Sequence, residues 1–526
     1  MLLREISTSI PGQKLFVLSV FILISTLATV AQPAEKNDVQ ASQAAQAEWL
    51  ATGGSAWDAV AAVEMDGTIT QGGAPGTFKK TMDWKTGYTR MDVETGPMKQ
   101  MSGFDGTAWS SQNGIVSFVD LPAFVEDARS QTFLDRAGWR TEKALSNEPS
   151  QNGLLIAHYH PTGCSEVGVS FDVKSHLVTQ AVVETNGGPL TITYSDWRPV
   201  GKVKFPFHQV QRDSVGETIV LEVQRVRLQN KVDPSTLARP VAVPRGHLLS
   251  GSNAPVPFTF IGSHRSHILV RAKVSGVDAK LVFDTGAANY FSPESAKRFG
   301  LAVSGGVNLS GIGESSMTGG YAKADKISIG VAELKDQTVT VGPMPGANPQ
   351  GQQDAPDGLA GFEFLAEFRT TIDYPAQTIT FRDFSQPPVA GGVKVPFLSD
   401  GQHIYVEAEA SNARGLFLLD TGDGGTVTLL PTFAKTHGLD KGLGGNVVLP
   451  GGIGGQISVK PLTLSNFVLA GTQFHDLPAK LSQNTKGPFA SRTIAGNLGA
   501  GLLRCFRITI DFPARVLTFE SVAGCH

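Results

Sequence analysis

Asp284 and Asp420 each stand at the end of an apolar run, in "AKLVFDTGAANYFSPE" (279–294) and "LFLLDTGDGGTVTLLP" (416–431). A carboxylate at the end of a buried strand is costly unless something pairs with it or uses it. Each aspartate is followed by the same two residues, Thr285-Gly286 and Thr421-Gly422. If the fold brings the two carboxylates together, they cannot both ionise cheaply, and the pair shares one proton. A water held between them can then lose a proton to one carboxylate while the other protonates the carbonyl oxygen of a peptide. Acid and base are thus present together near neutral or acidic pH. Thr285 and Thr421 can hydrogen-bond across the floor of such a pair, and Gly286 and Gly422 let the two backbones approach closely.

The elements that must position this pair are written twice. "LVFDTGAANYFSPESAKRFGL" (281–301) answers "LLDTGDGGTVTLLPTFAKTHGL" (418–439), and "GLAGFEFLAEFRTTIDYPAQTITF" (358–381) answers "GNLGAGLLRCFRITIDFPARVLTF" (496–519). The aspartates are 136 residues apart (284 to 420) and the later segments 138 (358 to 496). Two tandem units of about 130 residues are therefore expected. Within each, an apolar strand runs into Asp-Thr-Gly, turn residues follow, and a short helix comes next. In the first unit Ser292 can cap that helix, with Pro293 at its first position and Gly300 at its end. Asp373 and Asp511 sit in matching Ile-Asp-aromatic-Pro turns, where a turn role is the stronger reading.

The duplicated motif resembles the aspartic proteases, and the half-size repeats look like the retropepsin type. Here both units are fused in one chain, covering about half of it. The resemblance implies an aspartic endopeptidase with Asp284 and Asp420 catalytic, and Thr285, Gly286, Thr421 and Gly422 as active-site support. It implies an apolar-apolar-Gly segment beneath each aspartate: Leu359-Ala360-Gly361 fits, and Asn497-Leu498-Gly499 fits in part because Asn497 is polar. It also implies glycine-rich flaps over the substrate. "LSGIGESSMTGG" (309–320) supplies Gly311, Ile312 and Gly313, and "LPGGIGGQISV" (449–459) supplies Gly452, Ile453 and Gly454. Such flaps would close on an extended peptide and bond its backbone as an added strand. The second motif departs from the family in placing Asp423 after the glycine, where the first keeps Ala287. If charged and close, Asp423 raises the pair's proton affinity; if turned to solvent or a local turn bond, the favoured reading, it does not.

The remainder sets the frame. With 526 residues, length predicts about three domains. Short β-branched runs and 59 glycines predict a mainly β architecture. The expected organisation is a signal peptide over 1–31, a polar lead-in over 32–46 that is disordered or helical, and a β domain over 47–232. A Pro-rich linker over 233–256 follows, then retropepsin-like β-barrel lobes over 257–385 and 386–526 related by a pseudo-twofold. In the first β domain "LVTQAVVE" and "PLTITY" flank Thr185-Asn186-Gly187-Gly188, a hairpin signal, and 121–138 is the one strong helix. "GGSAWDAVAAVEMDGTI" (53–69) and "YSDWRPVGKVKFPF" (194–207) resemble the LolA/LolB-like lipoprotein-sorting domains. That resemblance implies an open antiparallel β-barrel or curved sheet, with lipid or lipoprotein as a partner.

A net charge of −3 without a basic run gives no sign of a nucleic-acid partner. Arg4 and Lys14 precede the apolar "LFVLSVFILISTLA" (15–28), and small residues allow cleavage after Ala31, so a periplasmic or secreted protein is expected; an N-terminal membrane anchor is the alternative. Of the three cysteines, Cys505 and Cys525 flank the last strand and could form a disulfide, leaving Cys164. His158, His160 and Cys164 make a metal site conceivable, but a pair of partly exposed strand histidines is the commoner outcome. "DTGDGG" lacks the further acids of a calcium loop, so neither metal nor cofactor is expected. One chain supplies both aspartates, so a monomer acting on a peptide or protein substrate is expected. The alternative is a catalytically inactive or single-substrate periplasmic binding protein, whose N-terminal domain holds lipid or peptide.

Overall fold

The computed structural model describes residues 34–149, 152–249, 253–262, 266–309, 311–313, 315–344, 355–449 and 451–524. The chain is mainly β; among the described residues there are two hydrogen-bonded systems, thirteen strands within 62–229 and twenty-one within 246–521. The N-terminal system is a single curved antiparallel sheet whose edge strands are Ile115–Val119 and Ser146–Pro149. Helix α2 (Pro122–Asp135) lies in the connection between those two edges. Thr185 pairs with Gly188 across the Asn186-Gly187 turn, as the hairpin signal predicts.

The lead-in is helical rather than disordered: α1 runs Ala34–Ala51. Its small residues explain the order. Ala41 and Ala45 are buried in a cluster with Phe133, Trp139, Tyr159 and Phe171, and Glu48 is fully buried in a bidentate pair with Arg140 at 2.8 Å. A buried carboxylate without that partner would be costly. The expected signal peptide lies outside the described residues. His158 sits 3.6 Å from Glu166, and Cys164 is a buried free thiol. Among the described residues no cluster of three or more His, Cys, Asp or Glu could hold a metal. Cys505 is disulfide-bonded, whereas Cys525 lies outside the described residues.

The two repeats build matching lobes. In the first, strand Val277–Phe283 runs parallel to Gly358–Ala360, which pairs antiparallel with Tyr290–Phe291. In the second, Ala413–Asp420 runs parallel to Ile494–Gly499, which pairs antiparallel with Val427–Leu429. Alternation dictates the packing: Leu281 and Phe283, then Phe417 and Leu419, point into one continuous core. Complete burial of each such side chain contributes about 2 kcal/mol. The helices after the motifs are α3 (Pro293–Arg298), capped by Ser292 through Ser295 N, and α5 (Pro431–Thr436).

Between the lobes, strand Arg369–Asp373 pairs antiparallel with Phe506–Asp511. Thr371 faces Thr509 there, their hydroxyls 2.8 Å apart, so the pseudo-twofold passes between equivalent residues. Asp373 and Asp511 hold their turns by accepting from Ala376 N and Ala514 N, and each also crosses the interface. Arg369 meets Asp511 at 2.7 Å, and its mate Arg507 meets Asp373 at 3.2 Å. The mates differ in burial, with Arg369 5% exposed and Arg507 37%. Arg369 also donates to the carbonyls of Phe384, Gln386 and Pro387 in the connection between lobes. Chemical denaturation should therefore show Arg369→Ala costing about 3–5 kcal/mol. Arg507→Ala should cost about 0–1 kcal/mol; equal losses would contradict this account.

Candidate active site

The two Asp-Thr-Gly turns meet on the pseudo-twofold and lock each other. Thr285 Oγ1 donates to Leu419 O and accepts from Thr421 N, at 2.8 and 3.0 Å. Thr421 Oγ1 donates to Phe283 O and accepts from Thr285 N, at the same distances. Both threonines are fully buried, so every one of these bonds is shielded from water. The glycines stand against the opposing aspartates. A Cβ on Gly286 would lie 2.7 Å from Asp420 Oδ1, and one on Gly422 would collide with the Asp284 carboxylate.

Asp284 and Asp420 each stand against the other motif's glycine, close enough for their charges to act on each other. Burial, and then the charge of Asp420, push Asp284 up to about 8. Burial and the Asp423 carboxylate also raise Asp420, against hydrogen bonds that lower it. The pair therefore retains a proton at neutral pH.

Asp423 is not turned to solvent. It accepts from Gly425 N at 2.8 Å, which is the expected local turn bond, and it also meets Lys480 Nζ at 3.4 Å and Asn497 Nδ2 at 3.1 Å. Burial works to raise its pKa, but the Lys480 ammonium and these donors leave it below the usual range. Asn497, a partial misfit in the sequence, donates to Asp420 Oδ2 at 2.9 Å.

Around the pair stand residues outside both Asp-Thr-Gly motifs. His267 and His403 precede Asp284 and Asp420 by the same number of positions, in "HILV" and "HIYV", a second repeat signal. Burial holds His267 below its usual pKa. Burial acts on His403 likewise, but Asp400, 2.8 Å away, overcomes it and raises it to about 9. Glu363, fully buried on α4 (Phe362–Glu367), accepts from Asn289 N at 2.9 Å and fixes the turn after the first motif. Burial raises it to about 7.

The glycine hairpins of both lobes meet tip to tip. Gly313 N donates to Ile453 O at 3.0 Å, and Ser315 N to Gly454 O at 3.2 Å. Gly311 and Gly452 pack against Ile453 and Ile312, the isoleucines of the opposite tips. Asn484 Nδ2 donates to Ile312 O. The N-terminal domain reaches the same region. Asn308 N donates to Gly72 O at 2.6 Å, and Asp120 N and Leu121 N both donate to Ser399 O. Leu121, 1% exposed, shares an apolar cluster with Tyr405, Leu430, Phe489 and Ile494; Phe124, Ile312, Leu416 and Leu418 pack against it. Leu418 lies two residues before Asp420, so this cluster forms a wall of the site.

Residues 270–364, which contain Asp284, match a family model described as aspartyl protease. A retropepsin-like aspartic protease from Rickettsia conorii is 22% identical, covering 24% of this chain and 89% of that one, with a TM-score of 0.19. An aspartic proteinase from Irpex lacteus is 12% identical over 51% of this chain and 97% of that one, with a TM-score of 0.34. A LolA superfamily protein from Nitrosomonas europaea is 11% identical over 39% of this chain and 98% of that one, with a TM-score of 0.28. No curated protein matches the chain. The first lobe is thus an aspartyl-protease-like unit, and the internal repeat supplies a second around Asp420.

The buried proton has a measurable consequence. Unfolded, Asp284 releases its proton near 3.8; folded, it keeps it to about 8. The native state binds more protons between those values, so stability falls as pH rises through the window, with Glu363 contributing up to about 7. Asp284→Asn removes the larger part. Its unfolding free energy, read by chemical denaturation, should gain on wild type progressively from about pH 4 to about pH 8, by on the order of 1–3 kcal/mol at the upper end. A gap independent of pH would count against a shared buried proton.

Proposed function

We propose that the protein is an exported aspartic endopeptidase that hydrolyses peptide bonds with a water activated by Asp284 and Asp420. The observation that carries this reading is the reciprocal threonine lock, which sets two buried carboxylates against each other and leaves them one proton. The ionised carboxylate takes a proton from water as its oxygen adds to the peptide carbonyl carbon, and the other gives its proton to the carbonyl oxygen. Collapse of the resulting diol breaks the C–N bond as the amine takes up the proton. The Gly311–Gly313 and Gly452–Gly454 hairpins act as flaps that part to admit an extended peptide and bond its backbone. One chain completes the site, so a monomer suffices. The disulfide at Cys505 accords with an oxidising, periplasmic or secreted location.

In this reading the N-terminal domain shields the cleft. Leu121 and Phe124 stand against the wall that ends in Asp420, and the Gly72 turn holds the first hairpin through Asn308. Substrate must displace these contacts before it reaches the carboxylates.

Cleavage of a mixed peptide library, followed from acidic to neutral pH, tests the chemistry. Asp284→Asn or Asp420→Asn should each lower kcat/KM by at least about 10³-fold, the scale of losing one acid–base partner. Wild-type protein that folds and cuts nothing would favour the binding reading, and its N-terminal domain would then be assayed for lipid. The shield has a separate readout. Leu121→Ser should raise kcat/KM towards short peptides several-fold, chiefly through KM; unchanged or lower values would remove the N-terminal domain from that role.

A further inference from the structure

The two lobes agree in backbone at the carboxylate pair but not in what surrounds it. Leu359 faces Val282 and Tyr290 in the register of the first lobe; at the equivalent place in the second, Asn497 faces Leu418 and Thr428. Ala287 likewise answers Asp423. An apolar residue on one side has a buried amide as its mate on the other, and Asn497 is 1% exposed.

The orientation of that amide is set by its neighbours. Nδ2 carries two hydrogens and meets two carboxylate oxygens, Asp420 Oδ2 at 2.9 Å and Asp423 Oδ2 at 3.1 Å. Turned over, it would present an oxygen to both, with no hydrogen to place between them. Its Oδ1 remains buried without a partner. A neutral amide held this way at the cost of an unpaired acceptor is explained by what it gives Asp420.

The donors around the pair are unequal. Asp420 accepts from Gly422 N at 2.8 Å, Asp423 N at 3.1 Å and Asn497 Nδ2 at 2.9 Å. Among the described residues Asp284 accepts from Gly286 N alone, at 2.9 Å. Donors stabilise the charged form of a carboxylate, so the proton belongs on the partner with fewer of them. Charged groups also face the pair. Asp423 opposes an anionic Asp420, and the Lys480 ammonium pairs with Asp423 at 3.4 Å. His403 acts on both aspartates, while His267, near Asp284 and Asp423, is kept below its usual pKa by burial. Tyr374, a buried phenol, stays protonated.

We propose that Asn497 is a positioning residue that fixes the roles within the pair: Asp420 is the ionised base that takes the proton of water, and Asp284 is the acid that protonates the carbonyl oxygen. The inference rests on the endopeptidase reading above. The proton count closes. After attack Asp420 is protonated and Asp284 ionised. Asp420 then gives its proton to the leaving amine, and Asp284 takes one from the diol, which restores the starting state. A nearly symmetric pair of lobes thereby acquires a fixed direction, because the carbonyl oxygen must face Asp284.

The test uses the full chain labelled with ¹³C at the aspartate carboxyl carbons, with the two signals assigned through Asp284→Asn and Asp420→Asn. At about pH 6 the wild-type spectrum should show Asp284 protonated and Asp420 ionised. In Asn497→Leu, the residue of the other lobe, or in the smaller Asn497→Ser, the two signals should converge as the proton is shared. The acid limb of kcat/KM should rise by about one pH unit, or about tenfold in activity below it, which a purely structural role would not produce. Equal protonation in the wild type, the proton on Asp420, or an acid limb unmoved in a folded Asn497 variant would each overturn the assignment. Unequal protonation in a chain that cleaves no peptide would uphold the assignment and refute the endopeptidase reading. Two carboxyls titrating independently near their ordinary values would refute both.

Discussion

Everything in the C-terminal half answers to one electrostatic constraint: two carboxylates sit where water cannot solvate two charges. Burial alone would drive each to neutrality. Their close approach makes one proton enough for both, and holding that approach requires the backbone to be rigid at both turns. The reciprocal Thr285–Thr421 bonds provide this, since each hydroxyl is satisfied only if the other lobe is in place. The antiparallel pairing of 369–373 with 506–511 then fixes the lobes at a second level of the same axis. The apolar strands beneath the turns, with Phe283 and Leu419 in the common core, keep the floor dry.

Much of this was legible because it is written twice. Apolar alternation ending on Asp-Thr-Gly placed strand, turn and short helix in both lobes, and equal spacing implied that the two aspartates meet. What escaped were partners defined across the fold. Lys480 lies far along the chain from Asp423, and no local pattern announces that they pair. Asn497 is a partial misfit in an apolar segment, because its partners Asp420 and Asp423 come from the end of another strand and the turn beyond it. His267 and His403 were in principle readable from the "HILV" and "HIYV" repeat, but a histidine next to a strand is usually unremarkable. In the N-terminal region the sequence allows α1 to be disordered or helical, because its buried apolar residues are alanines, whose burial is visible only once Phe133 and Trp139 are packed over them.

The N-terminal sheet and the lobes are bound by polar contacts as well as by apolar ones. Asn113 exchanges two 2.9 Å bonds with the backbone of Thr338, completing an edge of the first lobe with a side chain. Asn186, at the tip of a hairpin, accepts from Thr493 N and Oγ1 in the second lobe. These anchors place the start of α2 beside the wall that leads to Asp420. The position of Leu121 therefore depends on both lobes being in place.

The contact of Gly286 with Asp420, and of Gly422 with Asp284, carries a consequence for how a duplicated unit can drift. A side chain gained at either glycine would strike the acid of the sister copy, not a neighbour in its own. Each copy is thus policed by the other at these positions, and a change tolerable in a solitary unit becomes intolerable in the fused pair. Divergence is channelled outward, to places such as Ala287 and Asp423 or Leu359 and Asn497, where the sisters meet no such veto.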